Sequence, residues 1–199
     1  MKPSIGLFNA ERHEYTIDGR RVPYVTQVLA DLVPGWRASD WFMQRGRAVH
    51  ACAALIAQGK EFTADERIKG QVSACRKFFA HIQPKVKGIE VQVYSSKLQY
   101  AGTADLIAKI PGRFVVADYK ATLTETVPLQ CAAYAIAYEE QGGERVSYGM
   151  GVELHENGTY RLSDIYDLRR YKSEWVAMLT TYRVRERLGC LTQEKDNGE

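Results

Sequence analysis

The stretch from Gly102 to Lys120 constrains the fold more than any other part of the chain: Gly-Thr-Ala-Asp-Leu-Ile-Ala-Lys-Ile-Pro-Gly-Arg-Phe-Val-Val-Ala-Asp-Tyr-Lys. β-Branched and apolar residues flank the turn dipeptide Pro111-Gly112, which predicts two antiparallel strands joined by a tight turn. Side chains alternate faces along a strand, so Asp118 and Lys120 are expected on one face and Tyr119 on the other. Pairing around the turn brings Asp105 of the first strand near Asp118. Two carboxylates and an ammonium at the end of apolar strands are expensive to desolvate without compensation. A hard divalent cation supplies it, because such ions take oxygen ligands and offset the repulsion between carboxylates.

The segments around this hairpin read as follows. Residues 8–25 predict a small hairpin, with Asp18-Gly19 as its turn. Tyr24 to Leu29 begins a short helix, in which Thr26 is either a cap or turn residue or a hydroxyl that donates to a phosphate. A long helix is expected over 39–58, with Ser39 as N-cap and Gly59 just past its end. Gly46, His50, Ala54 and Ala57 share one face of it, a small-residue face suited to close approach to a sheet. Arg45 and Arg47 flank His50, as a solvated surface or as phosphate contacts. An amphipathic helix over 64–85 reads as core packing alone. Glu90 to Tyr94 alternates like a strand. Glu90 is either a solvated edge residue or faces the same cleft as Asp105.

Thr126 to Tyr138 is a clear helix, with Thr126 able to cap it and Pro128 tolerated in its first turn. Gln130 and Tyr134 lie one turn apart, so both project from one face near Lys120. A tyrosine at that spacing suits a core, whereas a buried amide demands partners. Two further strands, 145–152 and 160–166, are expected around Glu156-Asn-Gly158, then a helix over 168–188 whose arginines and lysine read as a solvated face. The polar residues 192–199 are expected to be a disordered tail, leaving 1–191 as a single domain.

Composition narrows the function classes only slightly. A net charge of +3 over 199 residues does not by itself imply a nucleic-acid partner. Cys52, Cys75, Cys131 and Cys190 are scattered with no Cys-x-x-Cys pair, which argues against a zinc ribbon or a disulfide framework and suits a reducing cytosol. No apolar run reaches transmembrane length, and Met-Lys-Pro-Ser lacks the apolar core of a signal peptide. The expectation is a soluble, cytoplasmic protein with no membrane partner.

The order of these signals carries more than any one of them. A helix with Gly46…His50 precedes Gly102-x-x-Asp105, then Asp118-x-Lys120, then Gln130-x-x-x-Tyr134. This set, over about residues 39–140, resembles the PD-(D/E)xK nuclease superfamily and within it the RecB-type branch. The opening Tyr15…Asp18-Gly19-x-x-Val22-Pro23-x-Val25-Thr26-Gln27 resembles the start of phage- and prophage-encoded members. Ala104 stands where the family name has proline, a position that varies in the superfamily. The resemblance implies an α/β fold with an αβββαβ core, a central mixed sheet flanked by helices, and here an added N-terminal hairpin. It implies Asp105, Asp118, the Tyr119 carbonyl and His50 as ligands of Mg²⁺ or Mn²⁺. Lys120 would orient or activate the attacking water, and Gln130 and Tyr134 would shape the site. Thr26, Arg45, Arg47 and Glu90 are the candidate substrate contacts. Some members of the branch hold an iron–sulfur cluster on one early and three late cysteines. The late region here offers only Cys190, so no cluster is expected.

The implied function is a metal-dependent deoxyribonuclease, an exonuclease of phage recombination or DNA processing in the bacterial cytoplasm. Its implied partners are DNA and a phage single-strand annealing protein. A nuclease fold that only holds nucleic acid and an unrelated α/β protein with an incidental Asp-x-Lys are the competing readings. Retention of His50, Asp105, Asp118 and Lys120 together favours the enzyme.

Overall fold

The computed structural model describes residues 5–33 and 40–191. Strands β1 (Gly6–Asn9), β2 (Glu14–Ile17) and β3 (Arg20–Val22) form a three-stranded antiparallel sheet. The β2–β3 turn is set by Asp18 and Gly19, both at positive φ (50° and 76°), a geometry that aspartate tolerates and glycine adopts freely. Strand β1 extends what the sequence shows as a two-stranded hairpin; four residues beginning with a glycine carry too little alternation to register. Helix α1 (Val25–Leu32) follows, burying Val25, Val28 and Leu29.

Helix α2 (Asp40–Ala57) carries His50, and α3 (Lys69–Ile82) packs beside it after a 3₁₀ turn at Glu66–Ile68. The small-residue face expected on α2 does not make the close approach. A Cβ added to Gly46 would meet nothing within 4 Å, and the residues that reach the core are Val49 and Ala53. The apolar stripe, not the small residues, decides which way the helix turns. The proposed Ser39 cap lies outside the described residues, as does the tail over 192–199.

The main sheet is built from β4 (Lys85–Ser95), β5 (Tyr100–Ile110), β6 (Arg113–Lys120), β7 (Tyr148–Leu154) and β8 (Tyr160–Leu162), in that order, with β9 (Tyr166–Asp167) also pairing β7. The β4–β5–β6 meander is antiparallel. The β6–β7 pair is parallel and connected through helix α4 (Val127–Glu140), as a parallel pair requires a crossover. This is the α-β-β-β-α-β order around a mixed sheet.

Two apolar layers sandwich the sheet. One unites Ile107 and Val116 with α1, α4 and α5 (Leu168–Arg187), centred on the fully buried Trp175. The other unites Leu106, Val115, Ala117 and Tyr119 with α2 and α3. Thr126 stands at the N-cap of α4, but its hydroxyl bonds Thr124 Oγ1 at 2.7 Å and makes no cap bond. Basic side chains of α5 are tied to the protein itself. Arg169 pairs with Asp167, Arg170 with Glu174, Lys172 with Glu139, and Arg185 with Asp31, while Arg183 donates to the carbonyls of Leu98 and Gln99. Among the described residues, no helix is long and apolar enough to cross a membrane.

Candidate active site

A cleft of about 2280 Å³ opens between the N-terminal sheet, α1, α2 and the ends of β5 and β6, and every residue named as a catalytic, metal or substrate candidate lines it. Its floor follows from strand register. Leu106 pairs with Ala117, so one step further Asp105 stands across from Asp118 at the ends of β5 and β6. Asp105 Oδ2 accepts the Tyr119 backbone N–H at 2.8 Å, which fixes the carboxylate against the neighbouring strand. Lys120 Nζ lies 2.5 Å from Asp118 Oδ2, and both leave the strand away from the Tyr119 ring, which packs into the α2–α3 layer. Asp118 Oδ2 is buried, with the Lys120 ammonium as its ion-pair partner.

Helix α2 brings His50 down onto this floor. Its Nδ1 is 3.1 Å from Asp105 Oδ1 and its Nε2 is 3.2 Å from the Tyr119 carbonyl oxygen. With a carboxylate on one side and a carbonyl on the other, both ring nitrogens are positioned to donate, which favours the imidazolium. Burial works against that charge, but the Asp105 carboxylate outweighs it, and the imidazole is pushed up to about 9. For Asp105 burial is again the largest influence and raises it; His50, Lys120 and the Tyr119 N–H together hold it below the ordinary carboxylate range.

Glu90 completes the cluster, facing the same cleft as Asp105, one of the two placements the sequence left open. Its φ is +47°, a left-handed residue inside β4, between the pairs Ile89–Leu106 and Val91–Ala104 and so opposite Asp105. Strand alternation cannot say where a side chain goes from such a residue. One ligand atom each from His50, Glu90 and Asp105 lies within 4.8 Å of the others. Glu90 is among the candidate substrate contacts, and its carboxylate sits beside two of the groups expected to hold metal. Glu90 is exposed as a residue, yet its carboxyl end is crowded by the cluster. That desolvation, with the charge of Asp105 second, pushes it up to about 7. Asp118 is pushed up to about 6, by burial first and, against the opposing pull of Lys120, by Asp105. Lys120 is itself raised, since the two aspartates outweigh the burial that opposes its charge.

Three carboxylates, an imidazole and a backbone carbonyl lining one part of the cleft make an oxygen-rich donor set with one nitrogen. Those residues fit a hard divalent cation.

Helix α4 forms the next wall. Gln130 is fully buried, and neither its Oε1 nor its Nε2 has a hydrogen-bond partner among the described residues. Tyr134, one turn on, lays its ring on β5 where Gly102 leaves room. A Cβ at Gly102 would come within 2.7 Å of Tyr134 Cε1 and 3.2 Å of Val25 Cγ2. Burial, then the charges of Asp118 and Asp105, pushes the Tyr134 phenol well above its usual range. Thr26, in the first turn of α1, faces the same cleft, as do Arg45 and Arg47 of α2. Arg45 stacks over the Trp41 ring at 4.8 Å and is ion-paired with Glu156 from the far side of the cleft.

No family model matches the chain. It is 26% identical, over 199 aligned positions, to mitochondrial genome maintenance exonuclease 1 of Xenopus tropicalis. The match covers 81% of this chain and 57% of that protein, so the chain spans little more than half the length of its relative. Among solved structures it is similar to LHK-Exo in complex with dAMP, at 10% identity and a TM-score of 0.37, over 84% of this chain and 93% of that one.

Proposed function

We propose that this chain is a metal-dependent DNA nuclease, specifically an exodeoxyribonuclease, built as one domain over residues 1–191. The observation that carries the reading is the juxtaposition, in one cleft, of the His50–Glu90–Asp105 cluster and the Asp118–Lys120 ion pair. The similarity to an exonuclease over most of the chain supports it. His50, Glu90, Asp105, Asp118 and the Tyr119 carbonyl would hold Mg²⁺ or Mn²⁺; the imidazole among them shifts preference towards Mn²⁺. When bound, the cation would neutralise charge growing on a scissile phosphate and lower the pKa of an attacking water.

The chain's own groups account for the rest. Lys120, kept charged by two aspartates, sets a fixed positive charge beside the position where phosphate charge develops, where an ordered donor is worth most. The Tyr119 N–H holds Asp105 in place, so the centre is ordered before substrate arrives. Gln130 carries a desolvated amide with no hydrogen-bond partner among the described residues, a group that a substrate backbone oxygen would satisfy. Thr26 and Arg47 line the approach as phosphate contacts. On the same reading, which rests on the sequence resemblance, the gene is of phage or prophage origin. The enzyme then works in the host cytoplasm beside a single-strand annealing protein, without an iron–sulfur cluster.

The test is cleavage of end-labelled linear single-stranded, linear double-stranded and circular DNA with Mg²⁺, Mn²⁺ or EDTA, beside Asp118→Ala. Metal-dependent loss of linear DNA, with circles spared and the variant inactive, is the expected result. Salt-sensitive binding with no cleavage in either metal would instead identify a nucleic-acid-binding module and overturn the enzyme.

A further inference from the structure

The N-terminal sheet brings four aromatic rings to the rim of the cleft. Phe8 and Tyr15 pair across β1 and β2 and stack with centroids 4.5 Å apart. His13, at the β1–β2 turn, stands edge-on to Phe8 at 5.4 Å, to Tyr15 at 5.9 Å and to Tyr24 at 4.9 Å. The cluster is fastened to the strand that carries Asp105. Tyr15 and Thr103 share a hydroxyl hydrogen bond of 2.9 Å, and the Ala101 N–H donates to the Pro23 carbonyl at 3.1 Å.

Core packing explains only part of this arrangement. Tyr15 is buried, but Phe8 and Tyr24 are half-buried and His13 is exposed, and all four line the cleft that holds Asp105 and Lys120. Rings gathered on one rim and only half covered by the protein leave apolar surface that a flat apolar ligand would bury. In a polynucleotide the bases alone have flat apolar faces. In a duplex those faces are covered by their neighbours, so an aromatic platform takes bases that are unstacked and unpaired. Arg12 lines the same cleft and adds a positive charge to the rim.

We propose that Phe8, His13 and Tyr24, backed by the buried Tyr15, form a base-stacking subsite that receives an unpaired nucleobase of the strand entering the cleft, and so selects single-stranded or frayed DNA over intact duplex. The proposal deepens the nuclease reading and rests on it for the identity of the ligand. Rigid fastening to β5 sets a constant distance from the stacked base to the Asp105 centre, which makes the subsite a ruler for the bond presented there.

The experiment walks a single abasic nucleotide along a single-stranded oligonucleotide and measures both binding in EDTA and cleavage with Mn²⁺. For the wild type, an abasic residue at one or two positions should weaken binding and raise KM about 10-fold, the size of one lost base–aromatic stack, with kcat little changed. Phe8→Leu keeps the apolar bulk and removes the flat face. His13→Asn removes a ring at an exposed turn whose φ of +48° asparagine tolerates. Both variants, checked for an unchanged melting temperature, should weaken binding of the intact oligonucleotide and lose the abasic penalty. The proposal is overturned if no position is sensitive, if both variants keep the full penalty, or if duplex is taken as readily as single strand. A penalty in binding without any cleavage would keep the subsite and remove the nuclease reading. Cleavage without a penalty would do the reverse, and neither binding nor cleavage would remove both.

Discussion

Loading the site with metal should release about one proton from the protein at pH 7.5, because His50, pushed up to about 9, must surrender a ring proton to become a ligand. The two other raised groups add less there. Glu90, at about 7, is mostly ionised and gives up roughly a quarter of a proton, and Asp118, at about 6, gives up almost none. Between pH 9 and 7 the affinity for Mn²⁺ should therefore fall about 10-fold per pH unit, and more steeply below 7 as Glu90 and then Asp118 take up protons. The same groups set the opposite trend in the metal-free protein. A histidine raised from its ordinary value gives stability that is full below pH 6.5 and is lost as pH rises through 9. Carboxyls raised to about 7 and 6 likewise make ionisation costlier in the folded state. The metal-free melting temperature should fall from pH 6 to pH 9, while the increment given by Mn²⁺ grows. Isothermal titration in buffers of different ionisation enthalpy counts the protons, and His50→Ala should reduce the count at pH 7.5 to the small share of Glu90. A binding enthalpy independent of buffer at pH 7.5 would refute the assignment of His50 as a protonated ligand.

Two further perturbations test the walls of the cleft. Gly102→Ala drives a methyl to 2.7 Å from the buried Tyr134 ring and should destabilise the fold by about 1–3 kcal/mol by denaturant unfolding. An unchanged midpoint would show that the ring can swing aside. Glu156→Gln removes the carboxylate that holds Arg45 across the cleft, and since Glu156 is 69% exposed the melting temperature should hardly move. DNA binding should tighten, and the slope of log affinity against log salt should steepen by about one phosphate contact; an unchanged slope would place Arg45 outside the DNA path.

Much of the fold was legible because it rests on local signals. The β5–β6 hairpin follows from a Pro-Gly turn between β-branched runs, α3 and α4 from helical periodicity, and the β2–β3 turn from Asp18-Gly19. For Glu90 the sequence left two placements open, because a residue at positive φ escapes the period-two alternation that would choose between them. One expectation failed. The approach of α2 to the sheet was assigned to Gly46 and its small neighbours, but burial of Val49 and Ala53 turns the helix so that Gly46 faces open space. There a pattern along the chain was overruled by packing partners distant in sequence.

The aromatic rim was missed for the same reason, and it shows what β5 does for the site. Phe8, His13, Tyr15 and Tyr24 are spread over two short strands, the turn between them and the N-cap of α1 and have no shared period, so only their docking onto Ala101 and Thr103 makes them one surface. Along β5 the chain then supplies, in order, the seat for that rim, the gap at Gly102 that admits Tyr134, and the carboxylate of Asp105. Five consecutive residues thus fix three walls of the cleft relative to one another. Along these residues β5 pairs with β4 on one edge, while the Ala101 N–H bond to the Pro23 carbonyl and the Asp105 bond from the Tyr119 N–H tie the other, so the segment deforms little. Rigidity of that kind matters most if the cleft measures the distance from a held base to a cleaved bond. It also explains why Asp105, buried and costly to ionise, is placed on this strand and not on the surrounding loops.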